Sequence, residues 1–205
     1  MNSMDPAEQG AFLPRGDGPA PQADALHLRE PIAARHREVA TPLGTMLVAV
    51  GDFDGHPAVT GAWFVGQAHF PATGLLGEPD HDGDPLLAAA AEQLTQWFAR
   101  ERQGFDLPLA LDQKPQSLGP RVWRALQEIP YGRTTTYGEI AVALGGRSLA
   151  QAVGQAVGRN PWAVIVPCHR ALGSDGGLTG YAGGLERKRA LLELEGALPH
   201  EPGLF

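Results

Sequence analysis

The chain predicts an α/β protein of the α+β kind in two parts. A small antiparallel sheet with a packed helix comes first. A mostly helical, winged-helix-like part with a helix-turn-helix follows. Three observations carry this. Two β-patterned apolar runs flank Asp52-Phe53-Asp54-Gly55, a hairpin signal. A single long helical period follows Pro85. Beyond residue 114, helical periods alternate with glycine turns.

In chain order, residues 1–35 are rich in Pro, Gly, Ala and Asp and lack an apolar period. They read as a disordered tail, with a short helix expected around Ala23 to Arg37. Residues 36–113 form the sheet-and-helix scaffold. Thr41 to Val50 is a turn and strand, and Ala58 to Val65 is its hairpin partner. Gln67 to Pro71 extends the sheet, and Gly74 to Asp84 is an acidic loop. Asp84-Pro85 opens a helix to about Arg102, with Leu87, Ala90, Leu94, Trp97 and Phe98 on its core face.

Residues 114–198 form the second part, after a linker from Leu111 to Gln116. Ser117 caps a helix bearing Val122, Trp123, Leu126 and Ile129, which Pro130-Tyr131-Gly132 stops. Thr136-Tyr137-Gly138-Glu139 is a capping box, and its helix turns Ile140, Ala141 and Leu144 inward before Gly145-Gly146. Ser148 begins a helix of small residues, Ala150, Ala152, Gly154, Ala156 and Gly158. Such a helix approaches another surface closely, either inside the protein or on a partner. Ala163 to Val166 reads as a buried strand. Glu186 to Leu194 is a last amphipathic helix, with Leu185, Leu191, Leu192 and Leu194 available to the core.

Composition narrows the function. One cysteine in 205 residues excludes an internal disulfide and a multi-cysteine zinc site. A lone thiol suits a reducing cytoplasm. No apolar run approaches the length of a membrane span, and the N-terminus has no signal-peptide pattern. His56, His69 and His81 lack metal-ligand spacing. The net charge of −7 is unevenly spread. Residues 1–113 carry 6 Lys and Arg against 16 Asp and Glu, a net −10, whereas residues 114–205 carry 10 against 7, a net +3. Only the C-terminal part is a plausible nucleic-acid face.

That one cysteine, Cys168, sits in Pro167-Cys168-His169-Arg170. A thiol needs a basic neighbour to become a nucleophile at neutral pH, and His169 is in place to supply it. Adjacent side chains rarely face each other, so the expected link runs through a water. The alternative is a small buried thiol beside a surface histidine.

PCHR is flanked by Gly158-Arg159-Asn160-Pro161, by Leu178-Thr179-Gly180-Tyr181-Ala182-Gly183-Gly184 and by Glu186-Arg187-Lys188. Tyr137 and Glu195 stand at matching spacing. From about Leu118 to Gly196 the chain strongly resembles the O6-alkylguanine-DNA alkyltransferase family of direct-reversal repair proteins. The likeness is weaker from about Thr41 to Leu111 and fails over the first 35 or so residues.

The resemblance implies flipping of O6-alkylguanine, with O4-alkylthymine a further candidate, out of double-stranded DNA. The alkyl group then passes once and irreversibly to Cys168. No cofactor and no metal are implied. The partner is the DNA minor groove, entered by the helix after Ser148, and the protein is a monomer of the cytoplasm, held at the nucleoid when bound.

The roles follow by position. Cys168 accepts the alkyl group, His169 is the water-mediated base and Glu195 orients it. Tyr137 assists the departing guanine and touches DNA, or else is a packing tyrosine. Asn160 holds the active-site turn. Val166, Tyr181, Ala182 and Gly183 line the pocket, and Ser174 contacts phosphate or merely forms a turn. Where the family carries an arginine that fills the hole left by the flipped base, this chain has Gln151, 17 residues before Cys168. Gln151 fills that role or completes a capping box with Ser148. A non-transferring damage-binding protein of the same fold is the alternative; such relatives lack the cysteine.

Overall fold

The computed structural model describes residues 32–81, 83–112 and 116–199. The first sheet has strand order β3-β2-β1-β4, with β1 at Ile32–Val39, β2 at Met46–Phe53, β3 at His56–Phe64 and β4 at Glu78–Pro79. β1/β2 and β2/β3 are antiparallel, and β1/β4 is parallel. The hairpin turns at Asp54 and Gly55, both at positive φ. β2 alternates between two buried faces. Met46, Val48 and Val50 enter the main core, while Leu47 and Ala49 join Trp63 and Leu76 on the opposite side. Cover on both faces explains its unbroken apolar run.

Three expectations fail in this region. The helix over Ala23 to Arg37 is not formed where it can be seen, because residues 32–37 belong to β1. The remainder of the expected tail lies outside the described residues. Cross-strand pairing with Val50 on one side and Glu78 on the other outweighs local helix preference at Arg35. Gln67 to Pro71 does not extend the sheet. Gly66 and His69 both adopt positive φ, and the Gln67 side chain accepts from the Phe64 amide, so the chain turns back. Gly74 to Asp84 is more than loop, since it contributes β4.

Helix α1, Pro85–Phe98, is capped by Asp84, whose carboxylate accepts from the Leu86 and Leu87 amides. It ends at Phe98 rather than near Arg102, because Arg100 turns to positive φ. Its buried face is Leu87, Ala90, Leu94, Trp97 and Phe98, as the period predicts.

Helix α2, Leu118–Gln127, follows Ser117, which occupies the cap position without making the cap hydrogen bond. A two-residue strand, β5 (Thr135–Thr136), leads into α3, Tyr137–Ala143, where the capping box between Thr136 and Glu139 is fully formed. Gly145 and Gly146, both at positive φ, turn the chain toward α4, Ala150–Gly158. Ser148 lies in a short 3₁₀ turn, and the α4 N-cap is Leu149 with no side-chain cap bond. The Ser148–Gln151 capping box is therefore absent. β6, Ala171–Leu172, pairs parallel with β5, and α5 spans Leu185–Leu194. Leu185 is exposed rather than in the core.

Ala163 to Val166 is not a strand. Only its start meets the sheet: the Ala62 amide donates to the Pro161 carbonyl, and the Ala163 amide donates to the Ala62 carbonyl. The chain then winds through tight turns, with Val164 at φ 71°. All four residues are buried, so an apolar run could not tell strand from buried turn. This pairing anchors the segment before Cys168 on the β3 edge. One continuous hydrophobic cluster runs from Met46 and Leu94 to Val153 and Leu191.

Candidate active site

Cys168 opens a 3₁₀ turn, Cys168–Arg170, immediately after Pro167. Asn160 builds the turn from behind. Its Nδ2 donates to the Trp162 and Val166 carbonyls and to Cys168 Sγ at 3.1 Å, and its Oδ1 accepts from the Trp162 amide. An N–H donor at sulfur stabilises the anion more than the neutral thiol. The contact favours the thiolate, although burial, the larger effect, pushes the Cys168 thiol up.

His169 is fully buried, not a surface residue. Its Nε2 lies 2.9 Å from Glu195 Oε1. Burial would raise the Glu195 carboxyl, but hydrogen bonds and charge from His169 and Arg170 outweigh it and hold the group at about 2. Glu195 is therefore ionised and accepts the Nε2–H proton. Burial pushes the His169 imidazole down against the pull of Glu195, leaving it neutral. Its Nδ1 then carries the lone pair, and this atom makes no hydrogen bond within the protein. A neutral ring with a free acceptor nitrogen can receive a proton. No direct hydrogen bond joins the His169 imidazole to Cys168 Sγ; the His169 ring nitrogens are Nε2, taken by Glu195, and Nδ1, which has no partner within the protein.

Glu195 is a hub. It also accepts from Arg170 Nε and Nη2 and from the Gly132 amide. Gly132 must be glycine here: its φ is 71°, and a Cβ would come within 2.9 Å of the Glu195 carbonyl. Arg170 Nη1 donates to the Ile129 carbonyl.

Across the site, Tyr137 donates from its hydroxyl to the Thr179 and Gly180 carbonyls at 3.0 Å each. Burial, with the nearby Cys168 charge, pushes it up to about 12, so it stays protonated. Tyr181 packs against the core, with a buried hydroxyl pushed well above the usual tyrosine value by burial. Gly183 lies tight under that ring, where a Cβ would sit 2.6 Å from Tyr181 Cε1. The Ala182 carbonyl accepts from the Ala68 amide, tying this wall to the N-terminal part. Val166 is buried in the turn. Ser174 is exposed in a turn held by Asp175 and has no part in the hydrogen bonds described above. Gln151 is exposed on α4. Gly154 and Gly158 have open space where a Cβ would stand, so the small residues of α4 are not all there for internal packing.

Two residues escaped sequence reasoning. Arg170 stands in the PCHR motif yet received no role. Lys188 is fully buried, and its Nζ donates to the Ala171 and Thr179 carbonyls at 2.6 and 2.7 Å. Burial lowers it to about 8. Spacing held the signal: Lys188, Leu191, Leu192 and Glu195 follow i, i+3, i+4, i+7, so they share the core face of α5. Among the described residues, no three His, Cys, Asp or Glu side chains converge as a metal set, and no helix is long and apolar enough to cross a membrane.

Residues 118–197 match the family model for the 6-O-methylguanine DNA methyltransferase DNA-binding domain. The chain is 45% identical over 161 residues to the methylated-DNA–protein-cysteine methyltransferase of Mycolicibacterium paratuberculosis, covering 78% of this chain and 91% of the relative. The constitutive protein of that name from Bacillus subtilis is 38% identical, covering 76% and 91%. The OGT protein of Mycobacterium tuberculosis, solved in complex with DNA, superposes with a TM-score of 0.68 at 42% identity, covering 79% of this chain and 93% of that one.

Proposed function

The chain belongs to the methylated-DNA–protein-cysteine methyltransferase family, and from that premise we propose how its own residues carry out direct-reversal repair of O6-alkylguanine in DNA. The protein binds DNA and is a methyltransferase that acts on its own cysteine. The observation that carries the reading is the linked set Asn160–Cys168 and His169–Glu195 within one buried turn.

The Cys168 thiol gives its proton through a water to His169 Nδ1, and Glu195 stabilises the resulting imidazolium. The sulfur then forms a bond to the alkyl carbon as the carbon–O6 bond breaks. Tyr137, still protonated, donates to the departing guanine. The product is a thioether on Cys168. It has no leaving group a protein side chain can displace, so each molecule acts once.

The duplex lies against α4 through its minor groove, with O6-alkylguanine flipped into a pocket walled by Val166, Tyr181, Ala182 and Gly183. Gln151 fills the vacated stack, and Ser174 meets phosphate. The open flank at Gly154 and Gly158 supports this close approach. The protein acts as a monomer in the cytoplasm, associating with the nucleoid when bound.

Intact-mass measurement after incubation with an O6-methylguanine duplex tests the reading. One added methylene per chain, localised to Cys168 and absent in Cys168→Ala, is expected. Duplex binding by Cys168→Ala should stay within a few-fold of the parent. An unmodified parent would remove the transfer mechanism.

A further inference from the structure

A residue that packs on the acid–base pair comes from the N-terminal part of the fold, 72 positions before His169. Trp97, in the last turn of α1, is fully buried, and its ring centroid lies 6.1 Å from that of His169 at an interplanar angle of 73°. The indole also meets Phe98, Phe105 and Tyr131 edge-on or stacked. Its Nε1 makes no hydrogen bond, so packing alone holds it. Tyr131 in turn donates to the Leu194 carbonyl, one residue before Glu195, and lies under the Arg170 guanidinium. Trp97 thus packs against His169 and Tyr131 against Arg170, with Phe98 and Phe105 behind Trp97.

We propose that Trp97 is a positioning residue for alkyl transfer: the indole shields the imidazole face it packs on from bulk water, leaving Nδ1 to the bridging water, and holds the ring against Glu195. The sheet-and-helix part then does more than support the second part, because it contributes a wall of the acid–base pair. This inference rests on the transfer mechanism above.

The physical consequence has a definite sign. After burial, the groups that set the charge of His169 are Glu195, Arg170 and Lys188; the titratable Cys168 is its chain neighbour, Tyr131 lies nearby, and the α1 side chain in ring contact with it is the uncharged Trp97. Burial lowers the imidazole's proton affinity and Glu195 raises it. Replacing the indole with a smaller group admits water and weakens the first effect, so Glu195 prevails and His169 protonates at higher pH. A protonated Nδ1 cannot accept the thiol proton. The acid limb of the rate profile must move upward in pH.

Single-turnover transfer to the full chain from an O6-methylguanine duplex, followed from about pH 5 to 9, reads this directly. In Trp97→Leu the acid limb should rise by about one pH unit, a roughly tenfold loss on the acid side that recovers toward high pH. Phe98→Leu, on the same helix turn, should lower the melting temperature without moving the limb. A folded Trp97→Leu protein with the parental limb overturns the proposal, as does an equal displacement in Phe98→Leu. If Trp97→Leu does not fold, exchange of the His169 C2 proton in Trp97→Phe decides: faster exchange supports the role and parental exchange overturns it. A parent that forms no thioether sinks the transfer mechanism instead, so the two failures are distinguishable.

Discussion

Asn160 Nδ2 lies 3.1 Å from Cys168 Sγ while the same amide closes onto the Trp162 and Val166 carbonyls. One buried side chain thus shapes the turn and touches the nucleophile. Asn160→Ala leaves buried carbonyls unpaired, so a loss of about 2–3 kcal/mol in stability is expected. Asn160→Asp keeps the size but only accepts, so it also leaves the Trp162 and Val166 carbonyls unpaired, and it sets a carboxylate against sulfur, which raises the thiol's proton affinity. Transfer should then slow most at neutral pH and recover as pH rises. A parental profile in Asn160→Asp would reduce Asn160 to a structural brace.

Glu195 predicts an acid-sensitive fold. Its carboxyl is held at about 2 in the folded protein against an ordinary 4.5. A depressed folded value stabilises the native state above the unfolded value, and this contribution disappears as pH falls through the folded one. On the order of 3 kcal/mol should therefore be lost between about pH 5 and 2. Chemical denaturation across that range checks it. In Glu195→Gln the dependence should flatten, and transfer should slow because the imidazolium loses its counter-charge. An equally steep acid dependence in Glu195→Gln would place the effect elsewhere.

Truncation should be sensitive to a few residues. Sequence alone sets the dispensable segment at 1–35, yet β1 begins at Ile32, and Arg35 pairs with both Val50 and Glu78. Deleting residues 1–31 should leave the melting temperature and the repair rate near parental values. Deleting residues 1–39 removes the strand between β2 and β4 and should abolish the cooperative melt. Equal stability of the two truncations would contradict the role given to β1.

Gln151 is exposed on α4, and the helix is capped at Leu149 without a side-chain bond. Gln151→Arg should therefore carry no cap penalty. If the position fills the stack left by the flipped base, arginine should speed transfer on duplex more than on single strands and steepen the salt dependence. Single-turnover rates on both substrates at two salt concentrations measure this. Equal changes on both would deny Gln151 contact with the duplex.

The sequence by itself determined the elements that local chemistry governs. Asp84-Pro85 and the Thr136–Glu139 box start helices through bonds made within three residues, and the α1 apolar face follows its period. Cys168, His169, Tyr137, Asn160 and Glu195 could be named as candidates because their types and spacing resemble a family pattern, and the fold brings Asn160 to Cys168 and His169 to Glu195. The tertiary structure decided what depends on partners far along the chain. β1 at residues 32–37, the buried turn at 163–166 and the exposure of Leu185 each depend on long-range pairing or packing. So do the burial of His169 beneath Trp97 and the service of Arg170 and Lys188 as buried cations. A residue's charge state is set by the dielectric and neighbours around it, and those neighbours lie as many as 72 positions away, as Trp97 does from His169. No local pattern encodes such a distance; only the folded core brings the groups together.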